Sequence, residues 1–302
     1  MLYRQRALLY FLHLAGGEAS HLHVTKWSFL LSREGETHGG NSFYEFVPYQ
    51  LGPFSFCLFQ EAVALAGQGL LADTNEKTWK LTEIGREAAL LAPVDVRNDS
   101  RRIHQQYGRM DADALLNDLY PRYPQYTYLS THKVLAKRPE ADAAVFTAGY
   151  EGLTVDGFLD LLIQNGIRRL LDVRHNPVAR RYGFHRSTLA RLCGNLDIDY
   201  EHIPRLGIRS ELRQGLFTQG DRDRLFDRYE ATTLVEGSAE VQRVAALMQE
   251  KASALVCMEA QPCECHRSRL AKAVAALANL PIRHLSSPWS PALLPLFSAS
   301  AS

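Results

Sequence analysis

From residue 143 onwards, short apolar segments alternate with longer amphipathic ones. The short segments are four or five residues long, which is typical of buried strands, and the segments between them repeat apolar residues at helical spacing. Predicted strands cover residues 145–148, 169–173, 199–202 and 254–258, and predicted helices cover residues 154–165, 187–195, 222–229, 241–251 and 268–278. Strands that alternate with helices favour an α/β fold with a mostly parallel sheet.

The N-terminal part of the chain is predicted to be mainly helical. Apolar residues recur at helical spacing over residues 3–14 and 24–32, and Ser55 is a candidate N-cap for a third helix that ends near Ala66. A hairpin is expected over residues 67–85. The predicted order is therefore three helices followed by a hairpin.

The sequences around the third helix carry a family resemblance. Leu-Gly-Pro-Phe-Ser at residues 51–55, with Leu-Thr-Glu-Ile-Gly at residues 81–85, is similar to a winged helix-turn-helix of the Panacea type. This resemblance covers about residues 1–90 and implies contact with DNA or with a protein partner. The third helix carries no Lys or Arg, which makes it poorly suited to hold phosphates, so both kinds of partner stay open.

Composition bounds the class of protein. A chain of 302 residues with 46% apolar content favours two domains, and we predict a winged helix-turn-helix domain at 1–90, a helical connector at 91–142 and an α/β catalytic or ligand-binding domain at 143–290. No apolar run approaches the roughly 20 residues that cross a bilayer, and the five cysteines are clustered rather than spaced as a disulfide framework. We therefore expect a cytoplasmic protein with no membrane contact.

Polar residues follow four of the predicted strands. They lie at residues 149–152, 171–177, 200–207 and 257–267. The carboxyl ends of parallel strands meet at one edge of a sheet, where ligands of open α/β sheets bind. The sequence therefore predicts one cleft at this edge.

The same segments identify a second resemblance. Gly-Tyr-Glu-Gly, Asp-Val-Arg-x-Asn-Pro, Gly-Phe, Tyr-x-His-Ile-Pro-x-Leu-Gly, Cys-x-Glu and Cys-His-Arg occur in the order found in the bacterial domain-of-unknown-function family 488. The resemblance covers about residues 144–285. It implies an α/β protein associated with nucleotides or nucleic acid, although the arginine-rich stretch after the Asn-Pro turn departs from many members.

Acid, base and nucleophile candidates lie at the predicted edge. They are Glu151, Asp172, Glu259, Cys265 and His266. Asp172 and Glu259 end apolar strands, where burial raises a carboxyl pKa; the alternative is a structural salt bridge with Arg174 or Arg267. Cys265 begins a helix beside a histidine and an arginine, a setting that lowers a thiol pKa; its alternatives are an inert thiol and a metal ligand.

Substrate-binding candidates combine cations with aromatic rings. They are Tyr150, Arg174, Asn176, Arg180, Arg181, Phe184, His202 and Arg267. Guanidinium groups interleaved with rings are typical of surfaces that hold phosphates and stacked bases. For any single arginine among them, a solvated helix face is the simpler interpretation.

A metal site would draw on Cys257, Cys263, Cys265 and His266. Their spacing differs from the paired Cys-x-x-Cys of zinc fingers, so we expect no metal and no cofactor. We predict a nucleic-acid-processing enzyme, a hydrolase in DNA repair or modified-base or nucleotide hydrolysis, with a glycosidic bond favoured over a phosphodiester. The alternatives are a DNA-binding regulator that senses a nucleotide-like anion and a defence or antitoxin module that contacts a protein.

Overall fold

The computed structural model describes residues 1–40, 42–72, 77–213 and 218–286. Contacts divide the chain into two compact units, unit 1 up to residue 138 and unit 2 from residue 139. No helix among the described residues is long and apolar enough to cross a membrane.

Unit 1 is mainly helical. Its helices are α1 (Tyr3–Leu14), α2 (His21–Glu34), α3 (Phe56–Gly67), α4 (Glu83–Leu90), α5 (Val94–Tyr107) and α6 (Ala112–Arg122). Its strands are β1 (Glu18–Ser20), β2 (Val47–Tyr49), β3 (Gly52–Phe54) and β4 (Thr78–Lys80). The three predicted N-terminal helices are confirmed, and the Ser55 side chain caps α3 by accepting from the backbone N–H of Leu58.

Short strands accompany the helices of unit 1. β1 pairs antiparallel with β4, β2 pairs with β3, and Leu71 forms an isolated antiparallel bridge with Leu81. The bridge lies where the hairpin was expected, and the hairpin tip at residues 73–76 lies outside the described residues. The helices and the bridge are compatible with a winged helix-turn-helix, which stays a prediction.

The region expected to be a connector packs into the core of unit 1. Val96, Ile103 and Tyr107 of α5 and Leu115 and Leu119 of α6 are buried in the same cluster as the apolar residues of α1 and α2. Helix α5 was not predicted from the sequence, because its residues are mainly polar and only one narrow face is apolar.

A buried lysine is an unusual feature of unit 1. Lys26 is 3% exposed, and its Nζ donates to the carbonyl of Pro53 at 2.8 Å. Burial lowers the pKa of Lys26 to about 7, from an ordinary value of 10.5. Between about pH 7 and pH 10.5, the unfolded chain therefore binds more protons than the folded chain.

We expect the free energy of unfolding to rise with pH from about 7 upward, by at most about 1.4 kcal/mol per pH unit, because deprotonation of Lys26 favours the folded state. Lys26→Met should flatten this rise. Urea unfolding from pH 7 to 9 measures it. Lys80→Met removes an exposed lysine of the same unit and should leave the slope unchanged; equal slopes in Lys26→Met and the parent protein would contradict the assignment.

Unit 2 is built on a five-stranded parallel sheet. Its strands are β5 (Val145–Gly149), β6 (Arg169–Asp172), β7 (Asp199–His202), β8 (Ser253–Cys257) and β9 (Ile282–Leu285), in the spatial order β7-β6-β8-β5-β9. Its helices are α7 (Val155–Gln164), α8 (Arg186–Asn195), α9 (Gln219–Tyr229), α10 (Ser238–Glu250) and α11 (Arg267–Ala278). The predicted α/β fold with a parallel sheet is confirmed.

Both faces of this sheet are buried. Val145, Leu171 and Leu255 point to one face and belong to a core that also contains apolar residues of α10 and α11. Phe146 and Leu170 point to the opposite face, since side chains alternate along a strand, and they are buried as well. A sheet covered on both faces leaves its edges as the place where polar groups can gather.

Candidate functional site

The central strands end at one level. Gly149 of β5 stands beside Cys257 of β8, and Val256 of β8 stands beside Asp172 of β6. All three strands run in the same direction, so their carboxyl ends share one edge. Two clusters of polar side chains lie there, and we call them the aspartate cluster and the thiol cluster.

The aspartate cluster is centred on a buried ion pair. Arg174 Nε donates to Asp172 Oδ1 at 2.8 Å, and Arg174 Nη2 donates to Asp172 Oδ2 at 2.5 Å. The backbone N–H of Arg174 donates to Asp172 Oδ1 at 3.1 Å, and the Tyr200 hydroxyl donates to Oδ2 at 2.6 Å. Asp172 is fully buried, and both of its oxygens are occupied.

Aromatic groups enclose the guanidinium of Arg174. Its Nη1 donates to the hydroxyl of Tyr150 at 3.0 Å and to the backbone oxygen of Phe184 at 2.9 Å. The rings of Tyr150 and Phe184 are stacked with centroids 4.1 Å apart. The Nε2 of His202 lies 2.8 Å from the backbone oxygen of Arg174. Burial, and after it the Asp172 carboxylate, raises the pKa of the Tyr200 hydroxyl.

The aspartate cluster therefore has a structural role. For Asp172 the salt bridge, which was the alternative interpretation, is the arrangement present. Arg174, Tyr150, Phe184 and His202 join the ends of β5, β6 and β7 to the loop before α8, and their expected contact with a substrate stays a prediction. A carboxylate whose oxygens are all occupied has no site left for a substrate proton.

Asp172→Asn should destabilise the protein by about 3–5 kcal/mol, because it leaves the Arg174 guanidinium buried without a counter-charge. Chemical denaturation measures this change. The matched variant is Asp199→Asn, at the other end of a neighbouring strand, where a 58% exposed carboxylate pairs with Lys251 and Arg169. This control should cost less than about 1 kcal/mol. Similar costs for the two variants would contradict the structural role.

The thiol cluster lies at the end of β8. The Sγ of Cys257 is 3.8 Å from the Nδ1 of His266, and the Sγ of Cys265 is 3.9 Å from the same nitrogen. Glu259 Oε2 lies 3.1 Å from Cys257 Sγ, and Arg213 Nη1 lies 3.3 Å from Glu259 Oε1. Both thiols and the imidazole are buried. Two of the predicted catalytic residues, Cys265 and His266, thus meet a third, Glu259.

Local structure brings these groups together. Cys257 is the last residue of β8, a short 3-10 helix at Pro262–Glu264 turns the chain, and His266 is the N-cap of α11. The Nε2 of His266 lies 3.2 Å from the backbone oxygen of Val173. A carbonyl can only accept, so Nε2 donates to it and Nδ1 is the ring nitrogen that faces the two thiols.

The two thiols differ in acidity. A hydrogen bond from Cys265, with His266 and Arg213 nearby, lowers the pKa of Cys257 well below its ordinary value despite burial. Burial and the neighbouring Cys257 raise the pKa of Cys265, and the same two causes raise the pKa of Glu259. The direction for Cys265 is therefore opposite to the low pKa that its position at the start of α11 predicted, because burial and the neighbouring thiol outweigh the effect of Arg267.

Arg267 holds the loop beside the thiol cluster. It is 1% exposed, and its guanidinium donates to the backbone oxygens of Glu259 and Ala260. Glu151 is exposed at the surface and accepts from the backbone N–H of Ala260 at 3.0 Å. Both side chains fix this loop, and the predicted substrate contact of Arg267 would require its buried guanidinium to leave these two oxygens.

Gly149 lets the same loop approach β5. A Cβ at this position would lie 1.9 Å from the backbone oxygen of Glu259. Gly149→Ala should therefore displace the loop and destabilise the protein by about 1–3 kcal/mol. Gly194→Ala in α8 meets nothing within 4 Å and should be neutral or stabilising by up to about 1 kcal/mol. Thermal unfolding of both variants checks the difference, and a neutral Gly149→Ala would count against the close approach.

Three predicted binding residues remain exposed near this edge. Asn176, Arg180 and Arg181 lie in the loop between β6 and α8, which begins at the carboxyl edge of the sheet. Arg209, in the segment after β7, is exposed as well. These side chains are accessible to a ligand, unlike Arg174 and Arg267.

Sequence reasoning missed three members of the two clusters. Cys257 entered only as part of a metal set, and neither Tyr200 nor Arg213 was assigned a role. The position of Cys257 at the end of an apolar strand was the available signal. Arg213 lies 46 residues before Glu259 in the chain, and no local pattern points to their contact.

The comparisons with known proteins bear on this part of unit 2. Residues 154–274 match the family model described as Domain of unknown function DUF488. The DUF488 match begins at the N-cap of α7, ends within α11 and contains the thiol cluster. It confirms the resemblance over these residues. No curated protein and no solved structure matches the chain.

Proposed function

We propose that unit 2 is a hydrolase that acts on a nucleic acid or nucleotide at the carboxyl edge of its sheet, with the thiol cluster as the reacting centre. The observation that carries the proposal is the meeting of a carboxyl group, an imidazole and two thiols at the end of β8. Hydrolysis requires groups that donate and accept protons close to the reacting bond, and a carboxyl group, an imidazole and thiols can do so.

The nearby cations support a phosphate-containing substrate. Arg180, Arg181 and Arg209 are exposed on loops that follow β6 and β7. Arg213 is half-buried and follows Arg209 in the sequence. Its ion pair with Glu259 connects this segment to the thiol cluster. Exposed guanidinium groups at the rim would hold backbone phosphates while the reacting bond lies nearer to Glu259.

Glu259 is the residue best placed to move a proton. One of its oxygens lies toward Cys257 and the other toward Arg213. A substrate phosphate that binds Arg213 would break this ion pair and leave the carboxyl group available for proton transfer. The aspartate cluster has no comparable freedom. A glycosidic bond to a base remains the favoured target, because its cleavage needs a carboxyl group and a held water.

The sensor alternative is less well supported than the enzyme. It relied on Arg174 and Arg267 to receive a nucleotide-like anion, and both guanidinium groups already donate to protein oxygens in buried positions. A regulator would therefore have to use the exposed arginines. The role of unit 1 in contacting DNA or a protein partner stays part of the proposal.

The test is a cleavage panel with the full chain. Labelled single- and double-stranded DNA and RNA, intact or carrying damaged bases, are incubated with the protein and with Glu259→Gln. We expect product from at least one substrate and a loss of at least about 100-fold in Glu259→Gln, in the range of a lost acid or base. Glu250→Gln, an exposed carboxylate at the end of α10, serves as the matched control and should keep full activity.

Binding is measured in parallel. The double variant Arg180→Ala/Arg181→Ala should weaken single-strand binding and lower the slope of log K against log salt by about 0.7 for each phosphate that is no longer neutralised. The control double variant Arg168→Ala/Lys251→Ala removes the same charge before β6 and β8, at the amino edge. Salt-dependent binding without product on any substrate would reject the enzyme and favour the regulator.

A further inference from the structure

The thiol cluster has the composition of a metal site. Cys257, Cys265 and His266 each offer one ligand atom, and these three atoms lie within 4.8 Å of one another. All three residues are buried, so the group is not a chance meeting of exposed side chains. We propose that Cys257, Cys265 and His266 bind a zinc ion, with Glu259 as the fourth ligand.

The distances suit tetrahedral coordination. Zinc–sulfur bonds of about 2.3 Å and zinc–nitrogen bonds of about 2.0–2.1 Å place neighbouring ligand atoms of a tetrahedron roughly 3.5–3.8 Å apart. The two sulfur-to-nitrogen distances are 3.8 and 3.9 Å. The imidazole nitrogen therefore lies within a few tenths of an ångström of the tetrahedral distance from each sulfur, and the two sulfurs lie within 4.8 Å of each other.

The orientation of His266 suits a ligand as well. Nε2 lies 3.2 Å from the carbonyl of Val173, to which it donates, and Nδ1 is the ring nitrogen directed toward the thiols. Metal-binding histidines usually donate their second ring nitrogen to a carbonyl or carboxylate in this way, which fixes the ring and raises its basicity. Cys257 is equally fixed, because it ends a central strand of the sheet.

Glu259 is the candidate for the fourth position. Its Oε2 is 3.1 Å from Cys257 Sγ, but it is not one of the three residues whose ligand atoms all lie within 4.8 Å of one another, so its carboxylate has to turn toward the ion to bind it. Two thiolates and a carboxylate carry three negative charges, zinc carries two positive charges, and Arg213 beside Glu259 supplies the remaining one. The site with zinc is therefore neutral in an apolar setting, where a net charge would be costly.

The ligand chemistry favours zinc over magnesium, calcium and manganese. Thiolate and imidazole are soft or intermediate ligands, whereas magnesium, calcium and manganese prefer oxygen sets. Cys263 takes no part, because its side chain is exposed and outside the cluster. The proposed zinc site departs from the expectation, drawn from spacing, that no metal is bound: β8 and the start of α11 would supply the ligands that Cys-x-x-Cys pairs supply in zinc fingers.

A carboxylate as fourth ligand has a consequence for chemistry. A carboxylate that leaves the metal opens a position for water, as in catalytic zinc sites with three protein ligands. A role of the ion in hydrolysis rests on the proposed function. Binding of the ion does not rest on it, so zinc binding and hydrolysis can fail separately.

The test measures metal binding by the full chain under reducing conditions. Metal-free protein is titrated with Zn²⁺ against a competing chelator, and the metal content is measured by mass spectrometry after desalting. We expect one zinc per chain. Cys257→Ser and Cys265→Ser should each weaken binding by more than about 100-fold, which exceeds the 10–100-fold that loss of an outer hydrogen-bond partner costs.

The matched control is Cys263→Ser, two residues from Cys265, which should bind zinc as the parent does. Replacement of zinc by Co²⁺ should give a sulfur-to-cobalt charge-transfer band that Cys263→Ser keeps and Cys257→Ser weakens. Circular dichroism identifies variants that fail to fold, and His266→Gln then provides a second ligand variant whose loss of zinc is expected.

Two results would overturn the inference. They are equal zinc affinity in the parent and all ligand variants, and a Cys257–Cys265 disulfide that persists in the reductant. Zinc bound in the expected stoichiometry, with no product in the cleavage panel, would support the site and reject only the proposed reaction.

Discussion

The buried ion pair between Asp172 and Arg174 is the interaction on which this edge of the sheet depends. A charged carboxylate at the end of a fully covered strand is costly unless every lone pair is occupied. The Arg174 side chain donates one hydrogen bond to each oxygen of Asp172, and its backbone N–H and the Tyr200 hydroxyl donate the other two. The remaining guanidinium nitrogen of Arg174 donates to Tyr150 and to the backbone of Phe184. Through these contacts one ion pair joins the end of β5, the end of β6 and the loop before α8.

The same pair sets the geometry of the thiol cluster. Val173 lies between Asp172 and Arg174, so the orientation of its carbonyl is determined on both sides. That carbonyl lies 3.2 Å from the Nε2 of His266 and so selects the tautomer whose Nδ1 faces the thiols. The two clusters are therefore coupled: a structural ion pair on one strand prepares a ligand on the helix that follows the next strand of the sheet.

Much of unit 2 was predictable from sequence, because apolar alternation is a local signal. The ends of β5, β6, β7 and β8 each fall within about one residue of expectation, and with them the convergence of polar groups at one edge. β9 was missed, since its four residues, Ile282–Leu285, are only half-buried and carry two polar side chains. Which side chains meet was not predictable, because Tyr200 reaches Asp172 and Arg213 reaches Glu259 only through the parallel register and a long connection.

The two clusters differ in what they can still bind, and this difference supports the thiol cluster as the proposed reacting centre. In the aspartate cluster every oxygen of the carboxylate has a donor, so any ligand would have to break an internal bond. In the thiol cluster, Nδ1 of His266 and two sulfurs face one another at distances longer than a strong hydrogen bond. These groups are close together and buried, which is the arrangement that the proposed zinc ion would occupy. The DUF488 match contains the thiol cluster, whereas Tyr150 of the aspartate cluster lies outside the matched residues.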